Sequence, residues 1–208
     1  MNILLLNSKK NKKYLNKLKK ILKSYNDDKV IINKKKIKLN QIKNLNINLI
    51  ISFHYKHLIP KKILQFVNYN AFNFHNSFLP QNRGMYPILW SAVSNNFAAC
   101  LHRVNENIDD GDIIFRKKFK ISKNKTLYYA YHLLEINSLK IFKQLWKNFR
   151  KKIKQNKKIY SIKQVKNKIT YNNSLKSQIL LLALSNKWLT KIKDVQKKYK
   201  IICELFKT

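Results

Sequence analysis

Asn73 and His75 stand two residues apart in an apolar run. If that run is a strand, both side chains leave its same face. An amide that donates hydrogen bonds and an imidazole that titrates near neutrality suit a developing oxyanion and a proton transfer. A second loop, His102 to Asp112, holds Glu106, Asp109, Asp110 and Asp112, four of the nine acids in the chain. A carboxylate there is able to pair with His75 and keep it charged, or to relay protons through a water. Both glycines, Gly84 and Gly111, and two of the three prolines, Pro80 and Pro87, fall between residues 80 and 111. Because Gly relaxes and Pro fixes the backbone, their concentration marks two loops under tight geometric demand. Taken singly each loop is ordinary: an Asn-x-His pair is commonly a satisfied strand end, and an Asp-Asp-Gly-Asp turn an exposed hairpin.

The elements that must position these loops are legible from periodicity. Residues 2–6, 29–33, 47–53 and 69–74 are short apolar or β-branched runs of strand length. Tyr14, Leu15, Leu18, Ile21 and Leu22 recur at helical spacing in a Lys-rich segment, Pro87 opens a helix-like stretch, and residues 126–149 predict a long amphipathic helix. Residues 97–104 and 113–119 read as two strands around the acidic turn. Alternating strands and helices predict an α/β fold with an open, mostly parallel sheet. Asn73 and His75 then lie at the C-terminal edge of their strand, where ligands bind in such sheets. Residues 1–150 are expected to form the main domain and 151–208 a small Lys-rich extension, with Ile179 to Leu184 as its one apolar stretch.

Composition narrows the class. Of 208 residues, 45% are hydrophobic, too many for a disordered chain. Lys and Arg total 45 against nine acids, a formal charge of +36 that attracts polyanions such as tRNA. The excess is spread along the chain with abundant Asn and Ile, which is the pattern of drift in residue usage rather than of a focused binding face. Cys100 and Cys203 are too few for a disulfide framework. The start lacks a secretory or membrane-spanning segment, so a cytoplasmic location is expected.

In this order the two loops resemble the formyltransferase family. Its pattern runs Asn-x-His-x-Ser-x-Leu-Pro, then Gly four residues on, then a His seven residues before the Asp of a Val/Ile-Asp-x-Gly turn. Here it reads NFHNSFLP, Gly84, and His102 to Asp109 in IDDGDI. Asn76 stands where Pro is commoner. The resemblance implies a Rossmann-like fold, 10-formyltetrahydrofolate as donor, and no metal. It further implies that Asn73 stabilises the oxyanion, His75 is its charged partner, and Asp109 orients His75 and handles protons. The pterin is implied to sit on the 105–109 loop, at Asn105 and Ile108, and against Phe78 and Leu79.

The stretch from Gly84 through Tyr86 to Trp90, with Arg83 before it, is similar to enzymes that N-formylate nucleotide-linked amino sugars. That similarity implies acceptor contacts from Ser77, Arg83, Gly84, Tyr86 and Trp90. Arg83 suits a diphosphate, while packing roles are equally natural for Tyr86 and Trp90. His102 is expected to support the Asp109 loop. Two alternatives stay open: a short methionyl-tRNA formyltransferase, and a non-catalytic relative that binds folate or nucleic acid. A homodimer is also open.

Overall fold

Runs of β-branched and long aliphatic residues, bounded by Asn and Lys, form the strands of the computed structural model, which describes residues 1–8, 12–165, 170–172 and 174–205. The order along the chain is β1 (Asn2–Leu6), α1 (Lys12–Leu22), β2 (Lys29–Asn33), α2 (Leu39–Asn44), β3 (Leu49–Phe53), α3 (Lys61–Phe66), β4 (Ala71–His75) and the two-residue β5 (Arg83–Gly84). There follow α4 (Pro87–Val93), β6 (Phe97–Arg103), β7 (Ile113–Phe119), α5 (Leu127–Lys154), β8 (Tyr171–Asn172), α6 (Ser174–Leu182) and α7 (Ile192–Leu205).

Six strands form one sheet in the order β2-β1-β3-β4-β6-β7. The pairs β1–β2, β1–β3 and β3–β4 are parallel, as the alternation of elements predicts. Every residue of β3 is buried, which is why it reads as unbroken LIISF rather than alternating. The register sets Ser52 opposite Asn73.

Contacts group the chain into two compact units. The first comprises Met1–Phe74, Leu101–Phe115 and Ile136–Gln164, and the second His75–Cys100, Arg116–Glu135 and Val165–Thr208. Residue 150, the expected edge of the main domain, falls inside α5, and residues 151–164 group with the first unit. The first unit's core packs Leu4, Leu6, Ile42, Ile50, Ile63 and Leu64 together, each worth about 1.5–3 kcal/mol when fully buried. Phe142 and Phe149 of α5 add edge-to-face contacts with Phe74 and Phe72 at 5.2 and 4.7 Å. The second unit has its own core of Leu89, Phe97, Leu127, Leu134, Leu180 and Ile192. The apolar 179–184 stretch thus serves as the buried face of α6, through Leu180, rather than as an isolated patch.

Two of the nine acids close the start of β2 onto α5. Arg150 Nε donates to Asp28 Oδ2 at 2.5 Å, its Nη2 bonds Asp27, and Lys154 Nζ reaches Asp27 Oδ2 at 2.5 Å. Lys154, opposed by desolvation and aided by Arg150, holds the Asp27 carboxyl at about 2, below its ordinary 3.8. A depressed folded pKa stabilises above the unfolded value, and that contribution disappears as pH falls through the folded value. Lys154→Met is therefore expected to lower the urea midpoint at pH 6 and to have little effect at pH 2. Equal shifts at the two pH values would show that the effect of Lys154 does not depend on the Asp27 charge.

Candidate active site

Asn73 sits near the C-terminal end of β4 with its amide oriented by its neighbour on β3. Ser52 Oγ donates to Asn73 Oδ1 at 2.7 Å, so Nδ2 and its two hydrogens turn the other way. They meet Asp109 Oδ1 and His102 Nε2, each at 3.2 Å. His102 Nδ1 lies 2.7 Å from the Arg103 carbonyl. A carbonyl only accepts, so Nδ1 carries the proton and Nε2 of the neutral ring presents a lone pair. That lone pair lies 3.2 Å from Asp109 Oδ1. Two acceptors at that distance repel unless a proton lies between them. The His102–Asp109 pair is shielded from solvent, 2% and 13% exposed.

The backbone of the acidic loop is under the demand its composition implied. Arg103 N donates to Asp112 O at 2.8 Å. A Cβ on Gly111 would stand 1.9 Å from the Arg103 oxygen, the same atom that receives His102 Nδ1. Arg103 is itself fixed by Nη1 donating to Tyr69 O at 2.8 Å, with its guanidinium 5.0 Å from the Phe72 ring. Desolvation lowers the Arg103 pKa, countered by Asp112. Asp109 adopts a left-handed φ of 48°, which Asp tolerates better than most residues. Asn105 Oδ1 accepts from Asn107 N at 3.1 Å, a local turn bond, and Ile108 remains 46% exposed.

His75 ends β4 and opens the second unit, 5% exposed. Its Nε2 donates to Asn82 O at 2.9 Å. The loop that follows is tied to itself and to residue 170. Ser77 Oγ donates to Gln81 O at 3.0 Å, Asn82 N to Thr170 Oγ1 at 2.8 Å, and Arg83 N to Thr170 O at 2.9 Å. Asn76 is buried and donates to Oε1 of the fully buried Glu135 at 2.7 Å, a role no proline could fill.

Several expected ligand contacts are buried. Ser77 and Leu79 have no exposed surface and Arg83 only 1%, so their side chains brace the unit and a ligand would have to displace packing to reach them. The Leu79 carbonyl accepts from Arg116, whose guanidinium lies 3.9 Å from the ring centre of half-buried Phe78. Trp90 Nε1 donates to Ser177 Oγ at 2.8 Å and its ring meets Tyr199 edge-on at 5.5 Å, a packing role. Gly84, with φ 89°, and Tyr86, with φ 53° at the N-cap of α4, remain half-buried.

Sequence reasoning passed over Ser52, Arg103, Glu135 and Gln164. Ser52 had one signal, a hydroxyl inside an otherwise apolar strand. Gln164 had none. Among the described residues no cluster of three His, Cys, Asp or Glu could hold a metal, and no helix is long and apolar enough to cross a membrane. A cleft of about 410 Å³ opens at the other, N-terminal end of the parallel strands, beside Asn46, Asn48, Asn68 and Asn70. Its lining holds no carboxylate, histidine or thiol, and its Lys154 is engaged with Asp27, so it is not a candidate for the chemistry.

Residues 5–141 match the Formyl transferase family model, and the chain belongs to that family. Among its relatives is the methionyl-tRNA formyltransferase of Prochlorococcus marinus (strain AS9601), 31% identical over 147 residues, which are 68% of this chain and 41% of that protein. The GDP-perosamine N-formyltransferase of Brucella melitensis is 30% identical over 91 residues, 43% of this chain and 35% of that one. The formyltransferase PseJ of Anoxybacillus kamchatkensis, solved with UDP-4,6-dideoxy-4-formamido-L-AltNAc and tetrahydrofolate, superposes with a TM-score of 0.78 at 26% identity, covering 94% of this chain and 97% of that chain. The matched region is between 32% and 42% of the length of four of the methionyl-tRNA formyltransferases that the chain resembles.

Proposed function

We propose that the chain transfers a formyl group from 10-formyltetrahydrofolate to the amino group of a nucleotide-linked amino-deoxysugar. The observation that carries the chemistry is the Asn73 amide, turned by Ser52 so that its hydrogens meet the His102–Asp109 pair. The acceptor amine attacks the formyl carbon, forming a C–N bond and a tetrahedral oxyanion. Asn73 turns one Nδ2 hydrogen from His102 Nε2 to that oxygen, the other staying on Asp109 Oδ1, and His75 is its charged partner. The ammonium proton passes to the His102–Asp109 pair, directly or through water. Collapse breaks the bond from the formyl carbon to the folate N10, which takes up a proton as tetrahydrofolate leaves. For the folate, Ile108 offers exposed apolar surface on the acidic loop.

The preference for an amino sugar rests on the Arg83-Gly84-Met85-Tyr86 stretch and on near full-length similarity to a structure holding a formamido sugar nucleotide. Methionyl-tRNA is the second reading, favoured by several sequence relatives and by the +36 charge. Purified protein with 10-formyltetrahydrofolate is expected to formylate at least one of a panel of dTDP-, GDP- and UDP-linked amino sugars, and not methionyl-tRNA. Transfer to methionyl-tRNA alone would select the second reading, and no transfer to any acceptor would sink both.

A further inference from the structure

Gln164 lies 55 residues beyond Asp109, after the end of α5, and touches the acidic loop with both amide hydrogens. Its Nε2 donates to Asp109 O at 2.9 Å and to Gly111 O at 2.8 Å. The rest of its segment is laid along the same loop. Ile162 exchanges backbone hydrogen bonds with Ile113 at 2.8 and 2.9 Å, and Ser161 Oγ donates to Asp112 Oδ2 at 3.1 Å. Residues 161–164 thus form a strap that binds 109–113 at five points. Ile162 and Val165 on either side are more than half exposed, so the strap is held by its polar bonds and not by burial.

The two Gln164 bonds fall where the loop needs restraint. Asp109 holds a left-handed φ, a conformation that surrounding structure must enforce. The carbonyls of Asp109 and Gly111 flank the peptides whose rotation would swing the Asp109 carboxylate away from Asn73 Nδ2 and His102 Nε2. One side-chain amide fixing both carbonyls removes that freedom. We propose that Gln164 is a positioning residue for Asp109, setting the carboxylate against Asn73 and His102; this rests on the formyl-transfer reading above.

Gln164→Glu keeps the shape but replaces both donors with acceptors facing two carbonyls, and Gln164→Met removes them without charge. With whichever acceptor the wild type uses, both variants are expected to lower kcat by about 10–100-fold, the scale of a misplaced catalytic group. KM for donor and acceptor should stay within about twofold. In the ligand-free protein, the NMR signals of the His102 ring and the Asn73 side-chain amide should move in both variants and stay in place in Val165→Ala, with thermal midpoints near wild type. A kcat within twofold of wild type in either folded variant, or unmoved His102 and Asn73 signals, would overturn the proposal. If the wild type formylates nothing but the signals still move, the positioning role stands and the formyl-transfer reading falls.

Discussion

Asn73→Ala is expected to lower formyl transfer by at least about 10²–10³-fold, the cost of losing one preorganised donor to an oxyanion, while the protein stays folded. The side chain is half-buried and makes three polar contacts, with Ser52, His102 and Asp109. Removing it costs stability on the order of 1 kcal/mol per lost bond, too little to unfold a domain with two intact cores. The catalytic loss is expected to be larger, because one of the two Nδ2 hydrogens is the proposed donor to the oxyanion while the other holds Asp109 Oδ1. Asp109→Asn should lose activity on a similar scale, and the double variant far less than the product of the two, since the groups act as a unit. Activity within tenfold of wild type in folded Asn73→Ala would remove the oxyanion role.

Gly111→Ala should damage both fold and activity. The added methyl would stand 1.9 Å from the Arg103 oxygen and 2.7 Å from its carbonyl carbon, and a backbone atom cannot swing aside as a flexible side chain can. Overpacking of this kind costs about 1–3 kcal/mol or more. Relief would move the carbonyl that fixes the His102 tautomer and open the Arg103–Asp112 bond. Urea midpoints together with kcat normalised to folded fraction should show Gly111→Ala losing kcat as well as stability. A Gly111→Ala enzyme with normal kcat would show that the Arg103 carbonyl does not govern His102.

Much of the fold was readable because buried parallel strands and amphipathic helices write their environments into residue type. LIISF had to be an inner strand, and the apolar side of α5 had to face a core. The short α2 and α3 were not singled out, because six residues give too few turns for a period to show. The site divides the same way. Asn73, His75 and Asp109 were marked by loops where rare glycine, proline and acid persist. Ser52 meets Asn73 only through strand register, which sequence does not carry, and Gln164 only through a contact 55 residues away. Arg83 illustrates the opposite difficulty: a guanidinium beside the Asn73–His75 strand suggests a phosphate ligand, and only burial reveals that it is held inside its unit.

The first unit is assembled from three separate stretches of chain, the last ending at Gln164. A ribosome adding about 5–20 residues per second needs about 3–11 s to travel from Asp109 to Gln164. For those seconds the nascent chain holds Asn73, His102 and Asp109 without the segment that closes the unit. Its exposed strands must then be kept from pairing with other chains, so pausing of translation within that window should raise aggregation more than pausing of the same length after residue 164.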